Sequence, residues 1–209
     1  MRKSFIFLQS TVSQEALVSA VRGSFDQLRD FRAKNCSISL SDILMSVFAM
    51  FHLKYASLLD FDKQSKASIS NLQTLCGIKQ VGSDSCIRKV LDKLDWQLSR
   101  NIFIECFSYL KKLGLIKEYT YLKKYVLVSA DRVEYFSSKK IHCEGCLSKT
   151  HKNGEVTYHH SMLCAVIVHP GQSEVFIVGS EPIQCQDGKQ KNDCERNANK
   201  RLMNWLSIH

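Results

Sequence analysis

The spacing of apolar residues divides the chain into a helical first part and a strand-rich second part. Residues 43–51 are apolar on nearly all sides, which is typical of a helix buried on several sides. Ser39, with Asp42 three positions later, fits the N-cap of this helix. Helical spacing after Ser83 and again after Asp95 predicts two further helices in this part of the chain.

Three runs of β-forming residues follow. The first lies between 125 and 136, the second between 157 and 169, and the third between 175 and 178. Turn-forming residues between the last two runs predict that they form a hairpin. The polar stretch 138–156 reads as an insertion between the first two strands.

A helix is predicted to follow the strands. Asn192 and Glu195 fit its N-cap and N3 positions, and its apolar positions continue to Leu206. The order of elements predicts an α+β protein, with a helical N-terminal region over 1–120. Over 121–209 it predicts an incomplete RNase H-like domain of three antiparallel strands plus one helix. A parallel strand is expected next, since a crossover helix normally returns the chain to the sheet.

Composition narrows the class of protein. The chain has 209 residues, of which 44% are hydrophobic and 23% charged, and these values exclude a fully disordered or collagen-like chain. The longest apolar stretch, 43–51, is far below the roughly 20 residues that span a bilayer. Nine cysteines without a convincing signal peptide indicate reduced thiols in a cytoplasm. We therefore expect a cytoplasmic protein with no membrane partner.

Positive charge is concentrated in the first part of the chain. The formal net charge is +9, and residues 1–120 carry 17 basic and 11 acidic side chains. Such a surplus favours a polyanion such as nucleic acid, although a well-solvated surface would have the same composition. Five basic residues surround the helix predicted after Ser83, which suggests a helix-turn-helix-like DNA contact or, equally, a solvated helix face. They are Lys79, Arg88, Lys89, Lys93 and Arg100.

Asp131 is the strongest candidate for a catalytic residue. It continues an apolar strand, where a buried carboxylate is costly unless it binds a metal or a cation. Two-metal phosphoryl transfer requires carboxylates on rigid strands. The alternative is a structural aspartate paired with Arg132 or with a lysine.

A second candidate site lies in the polar insertion. Cys143 and Cys146 have the spacing of a zinc-binding pair, and His151 could add a third ligand. The fourth ligand could come from one of three further histidines: His142, His159 and His160. The alternatives are two free cysteines in a loop or, with less support, a redox pair.

Several long motifs resemble the bacterial insertion-sequence transposases of the DDE type. DRVEYFSSKKIHC, beginning at Asp131, resembles their first catalytic block, and HKNGEVTY, beginning at His151, resembles the segment after it. KNDCERNA, beginning at Lys191, resembles part of the next block, together with 181–183 and 186–188. Two upstream stretches, 41–46 and 71–80, resemble the helical N-terminal region of the family.

The resemblance implies a DNA transposase with an RNase H-like catalytic core. It implies that Asp131 is the first of two aspartates that, with a glutamate, hold Mg²⁺ or Mn²⁺. The partners it implies are transposon-end DNA and either a second copy or a full-length transposase, in a bacterial cytoplasm near the nucleoid. Arg132 stands where the family usually has glycine, which could alter the metal pocket or add a phosphate contact.

The sequence departs from the family after the last predicted helix. The second aspartate and the glutamate of the family lie beyond it, whereas this sequence stops at His209. We therefore expect a truncated transposase that is inactive alone, with the strand carrying Asp131 as an exposed apolar edge that aggregates or pairs with another chain. The alternatives are a non-catalytic regulator that binds DNA or the transposase, and a small zinc-dependent binding module.

Overall fold

The computed structural model describes residues 13–186, 191–192 and 194–208. The chain forms two compact units, Met1–Leu113 and Gly114–His209. The division lies close to residue 120, where the sequence pattern changes.

The first unit is helical throughout its described part. It consists of α1 (Gln14–Asp26), α2 (Leu40–His52), α3 (Leu58–Ser65), α4 (Ile69–Cys76), α5 (Asp84–Leu91), the 3₁₀ helix Trp96–Arg100 and α6 (Asn101–Lys112).

Helix α2 forms the centre of the helical core, and its predicted cap is confirmed. The hydroxyl of Ser39 accepts a hydrogen bond from the Asp42 backbone N–H at 3.0 Å. Most of the helix is buried, including Ile43 and Met45, which have no exposed surface. The expectation of burial on several sides is wrong at the C-terminal end, because the side chain of Phe51 is 72% exposed.

A buried ion pair joins α2 to its neighbours. The Asp42 carboxylate accepts a hydrogen bond from the Arg22 guanidinium on α1 at 2.7 Å, and another from the Gln80 backbone N–H at 3.1 Å. Only 3% of Asp42 is exposed, so these donors replace the water that the carboxylate loses on folding. The N-cap pattern in the sequence therefore contains a carboxylate that also fixes the packing of the helices.

The other two predicted helices are present with one difference. The Ser83 hydroxyl caps α5 by accepting from the Cys86 N–H, as predicted. Asp95 caps a single 3₁₀ segment instead of a long helix, and α6 begins only at Asn101. The side chains of Ile87 and Val90, on the inner face of α5, are buried.

The second unit contains the sheet and the final helix. It consists of the 3₁₀ helix Leu115–Tyr119, β1 (Thr120–Tyr121), β2 (Tyr125–Ser138), β3 (Leu147–Thr150), β4 (Val156–Val168), β5 (Phe176–Ile183), β6 (Cys185–Gln186), β7 (Lys191–Asn192) and α7 (Glu195–Ile208).

Strand β4 is central in a five-stranded antiparallel sheet. One edge of β4 pairs with β2, and the other pairs first with β3 and then with β5. The predicted hairpin between the last two long strands is confirmed as β4–β5. Strand β3 lies within the insertion, where the sequence predicts no strand. Its four residues are too few for an alternating pattern to be recognised. The protein is thus mixed α+β, as expected.

Helix α7 packs against one face of the sheet. A β-carbon placed on Gly179 in β5 would come within 3.0 Å of the Trp205 ring and 3.1 Å of Leu202, so only glycine allows this close approach. Nearby, the Arg201 guanidinium donates to the Glu181 carboxylate at 2.6 Å, and Glu181 is only 5% exposed. Apolar contact and a charge pair therefore fix α7 together.

The predicted start of α7 is wrong. Asn192 lies in β7 and does not cap the helix, which begins at Glu195. The Cys194 carbonyl accepts from the N–H groups of Asn197 and Ala198, so Cys194 occupies the position before the first helical residue. The short β6–β7 pairing extends the strand region to Asn192, the residue that the sequence favoured as a cap.

Candidate functional site

Asp131 lies in the middle of β2, directly opposite Cys164 on β4. Its side chain is exposed, and one carboxylate oxygen accepts a hydrogen bond from the Arg132 backbone N–H at 2.8 Å. The carboxylate is thus held on a rigid strand without being buried. This placement agrees with the strand position that the sequence indicated.

The pairing register shows which face of the sheet carries Asp131. Directly opposite residues on antiparallel strands point to the same face, so Arg132 shares a face with Leu163, and Asp131 shares the other with Cys164. Leu163 is 3% exposed and belongs to the face that α7 covers. Asp131 therefore lies on the face opposite α7, which we call the open face.

The surroundings of Asp131 on the open face are mainly apolar. Its neighbour along the strand on this face is Val133, which is 48% exposed and lies opposite Met162. Within the described residues, no group of three or more metal-ligating side chains includes Asp131. Among the described residues, Asp131 thus offers a single carboxylate, which leaves most of a Mg²⁺ coordination shell to other donors.

Arg132 lies on the α7 side of the sheet and is therefore not next to the Asp131 carboxylate. Its guanidinium is 3.0 Å from the His159 Nε2 and 3.8 Å from carboxylate oxygens of Glu134 and Glu195. Burial lowers the pKa of His159; Glu134 opposes this shift and Arg132 adds to it. A neutral His159 can accept the hydrogen bond from Arg132. The expectation that Arg132 alters a metal pocket around Asp131 does not agree with this arrangement, whereas the alternative, a phosphate contact, stays a prediction.

A compact cluster of two thiols from the insertion and one imidazole from β4 lies beside the sheet. The Sγ atoms of Cys143 and Cys146 are 3.7 Å apart, and each lies 3.3 Å from the His160 Nε2. Cys143 is exposed, Cys146 is buried and His160 is half-buried. The structure thus contains a Cys₂His group able to hold a metal, compatible with Zn²⁺.

The third member of this cluster differs from the one that the sequence favoured. His151 lies outside the group, and its Nε2 is 2.8 Å from the Thr157 hydroxyl. His160, one of the further histidines considered, takes the third position because β4 carries it to the two thiols. His142 stacks on the ring of Tyr158 at 4.3 Å between centroids.

Two aromatic rings hold His160 in place. The register of β2 shifts between Glu134 and Phe136, so that Tyr135 is an extra residue in the strand. The rings of Tyr135 and Phe136 lie 5.9 Å and 5.7 Å from that of His160. Partial burial raises the pKa of Tyr135, and the neighbouring thiols of Cys143 and Cys146 add to this shift.

Of the five basic residues predicted to contact DNA, three lie on or just after α5, whereas Lys79 precedes α5 and Arg100 ends the 3₁₀ helix. Arg88, Lys89 and Lys93 are all exposed. The Arg88 guanidinium is paired with the Asp84 carboxylate one turn earlier. Lys89 and Lys93 line a groove together with Phe31.

The acidic segment before α7 is only partly described. Residues 187–190 and 193 lie outside the described part of the chain. Glu195 is the first residue of α7, and its carboxylate is 3.8 Å from the Arg132 guanidinium. This contact, together with its position in the first turn, agrees with charge pairing and with a favourable interaction between the Glu195 carboxylate and the helix N-terminus.

Comparison of the chain with known protein families, with curated proteins and with solved structures finds no match. Among the described residues, no helix has the length and hydropathy that a membrane-spanning helix needs.

Proposed function

We propose that this chain is a DDE-type transposase protein that binds DNA but does not cut or join strands by itself. One observation carries the proposal: Asp131 lies at the centre of β2, the first of three long antiparallel strands that are followed by a helix on one face. The motif that begins at Asp131 resembles the first catalytic block of these enzymes. Motif and strand position thus agree on the same residue.

The topology supports an RNase H-like assignment. Such a domain begins with three antiparallel strands and a crossover helix, and its fourth strand lies parallel to the first, beside its outer edge. Here β2, β4 and β5 pair in that order, and α7 follows β5 with only the short β6–β7 pairing between. In the described part of the chain, the partners of β2 are β4 and, at Tyr125 and Val126, β1. The remaining outer edge is where a fourth strand would pair.

The expected lack of strand transfer follows from the coordination chemistry. Two-metal phosphoryl transfer needs several carboxylates around ions roughly 4 Å apart. Asp131 can supply one ligand, and no group of three ligating side chains forms around it among the described residues. Further carboxylates would have to come from a segment that docks beside β2.

The helical unit is the proposed DNA-binding part. Lys89 lies on α5 and Lys93 lies two residues after its end; both are exposed and line the same groove, so both can contact phosphates there. The Asp84 carboxylate partly neutralises the charge of Arg88, so we assign Arg88 a smaller contribution to DNA binding than Lys89 or Lys93. The net charge of +9 adds a general attraction to DNA.

Reversing the charge of these two lysines tests the DNA-binding part of the proposal. The double variant Lys89→Glu, Lys93→Glu is expected to bind a random-sequence DNA duplex at least about 10-fold more weakly, because two phosphate contacts are replaced by repulsion. Fluorescence anisotropy at low salt measures this change. The matched control is Lys111→Glu, Lys112→Glu, which changes the net charge equally at exposed sites on α6. Equal losses in both variants would show that α5 is not the binding surface.

The exposed edge of β2 favours a second candidate function, a non-catalytic regulator that forms mixed oligomers with a full-length transposase. Val128 and Tyr135, both on β2, are 47% and 56% exposed. Exposed apolar strands of this kind pair readily with other chains. The two functions share DNA binding, and detection of a stable mixed oligomer would favour the regulator.

A further inference from the structure

We propose that Cys143, Cys146 and His160 bind one Zn²⁺ ion that fastens the insertion between β2 and β3 to the sheet. This inference does not depend on the proposed DNA transposition chemistry. It rests on the positions of three ligand atoms from two separate parts of the chain. The thiols come from the insertion, and the imidazole comes from the middle of β4.

The distances match the edges of a tetrahedral zinc site. Two sulfur ligands at about 2.3 Å from a tetrahedral ion lie about 3.8 Å apart, and a sulfur and a nitrogen ligand lie about 3.6 Å apart. The Sγ atoms of Cys143 and Cys146 are 3.7 Å apart, and both are 3.3 Å from the His160 Nε2. An ion can therefore be placed between these atoms with only small movements.

Both halves of the cluster are held in position before a metal binds. A turn closes the thiol pair, because the Cys146 backbone N–H donates to the Cys143 carbonyl at 3.1 Å. The Cys143 N–H lies 3.3 Å from the Cys146 Sγ and can donate to a thiolate there. His160 is held by the rings of Tyr135 and Phe136. Such order lowers the entropy lost on metal binding.

The chemistry of the ligands favours zinc over a disulfide or another metal. A disulfide between Cys143 and Cys146 would not need an imidazole placed equally close to both sulfurs. Thiolates combined with imidazole suit Zn²⁺, whereas Mg²⁺ and Ca²⁺ prefer oxygen ligands. Three protein ligands leave the fourth tetrahedral position to water.

Metal analysis tests this proposal directly. The full chain, purified with reductant and Zn²⁺ and then dialysed, is expected to retain about one zinc per molecule by mass spectrometry of the metal content. Cys143→Ser, Cys146→Ser and His160→Ala should each weaken zinc binding at least about 10-fold, because even loss of an outer-sphere partner costs that much. The matched controls, Cys36→Ser and His151→Ala, should retain the metal.

Cobalt substitution keeps the test valid if a variant fails to fold. Co²⁺ added to the metal-free wild-type chain should give the intense visible bands of a tetrahedral thiolate site, which Zn²⁺ should then abolish. The absence of retained zinc, the absence of these bands, or a Cys143–Cys146 disulfide in the reductant-purified protein would each overturn the proposal. Loss of zinc from either control would overturn the assignment of the ligands.

Discussion

Binding of duplex DNA to this chain is expected to weaken roughly 100-fold when the salt concentration rises from about 50 mM to about 200 mM. The reason is counterion release: each phosphate that a lysine or arginine neutralises frees cations from the DNA, and added salt opposes that release. We expect about four phosphate contacts, centred on Lys89 and Lys93, which gives a change of this size. Anisotropy titrations of a labelled duplex at several salt concentrations measure the slope.

The slope also identifies the residues responsible. The variant Lys89→Glu, Lys93→Glu should make the plot of log affinity against log salt concentration less steep, by the amount expected for about two lost phosphate contacts. The variant Lys111→Glu, Lys112→Glu should leave this slope near the wild-type value. An affinity that hardly changes over this salt range would contradict an electrostatic DNA interface. It would instead indicate that the basic side chains of the helical unit are simply solvated and do not contact DNA.

The wild-type chain is expected to self-associate through β2, and Val133→Lys is expected to convert it largely to monomer. Val133 is 48% exposed on the open face and lies two residues from Asp131, where the outer edge of β2 has no paired strand among the described residues. A lysine there places a charge where another chain would pack, which is how natural edge strands avoid pairing. Sedimentation velocity over a range of micromolar concentrations measures the change in mass.

A second exposed valine supplies the control for this experiment. Val175 is 52% exposed and lies just before β5, outside the paired strands. Val175→Lys adds the same charge and should leave the association unchanged. A wild-type chain that stays monomeric at every concentration, or equal dissociation by both variants, would contradict pairing through β2.

The sequence predicts the long elements well because their periodicity is strong. The burial pattern of β4 alternates over most of its length, with the odd-numbered residues from His159 to Ile167 buried. Strand β3 is not predictable from the sequence, because its four mostly polar residues form a strand only by pairing with β4. The start of α7 was misplaced because Asn192 has cap chemistry but lies in a strand.

The candidate metal ligands were only partly predictable for a related reason. The spacing of Cys143 and Cys146 identifies the pair, but it does not say which histidine lies near them. His159 and His160 are adjacent in β4 and so point to opposite faces. Only the register of β4 against β2 and β3, together with the extra residue Tyr135, determines that His160 meets the thiols.

A single gel experiment with supercoiled plasmid tests the proposed function most directly. The chain is incubated with plasmid at low salt in the presence of Mg²⁺ or Mn²⁺, and both retardation and integrity of the DNA are recorded. Our account predicts plasmid that is retarded but uncut, with the same result for Asp131→Ala. Nicking by the wild-type chain that disappears in Asp131→Ala, or a plasmid that is not retarded at all, would contradict it.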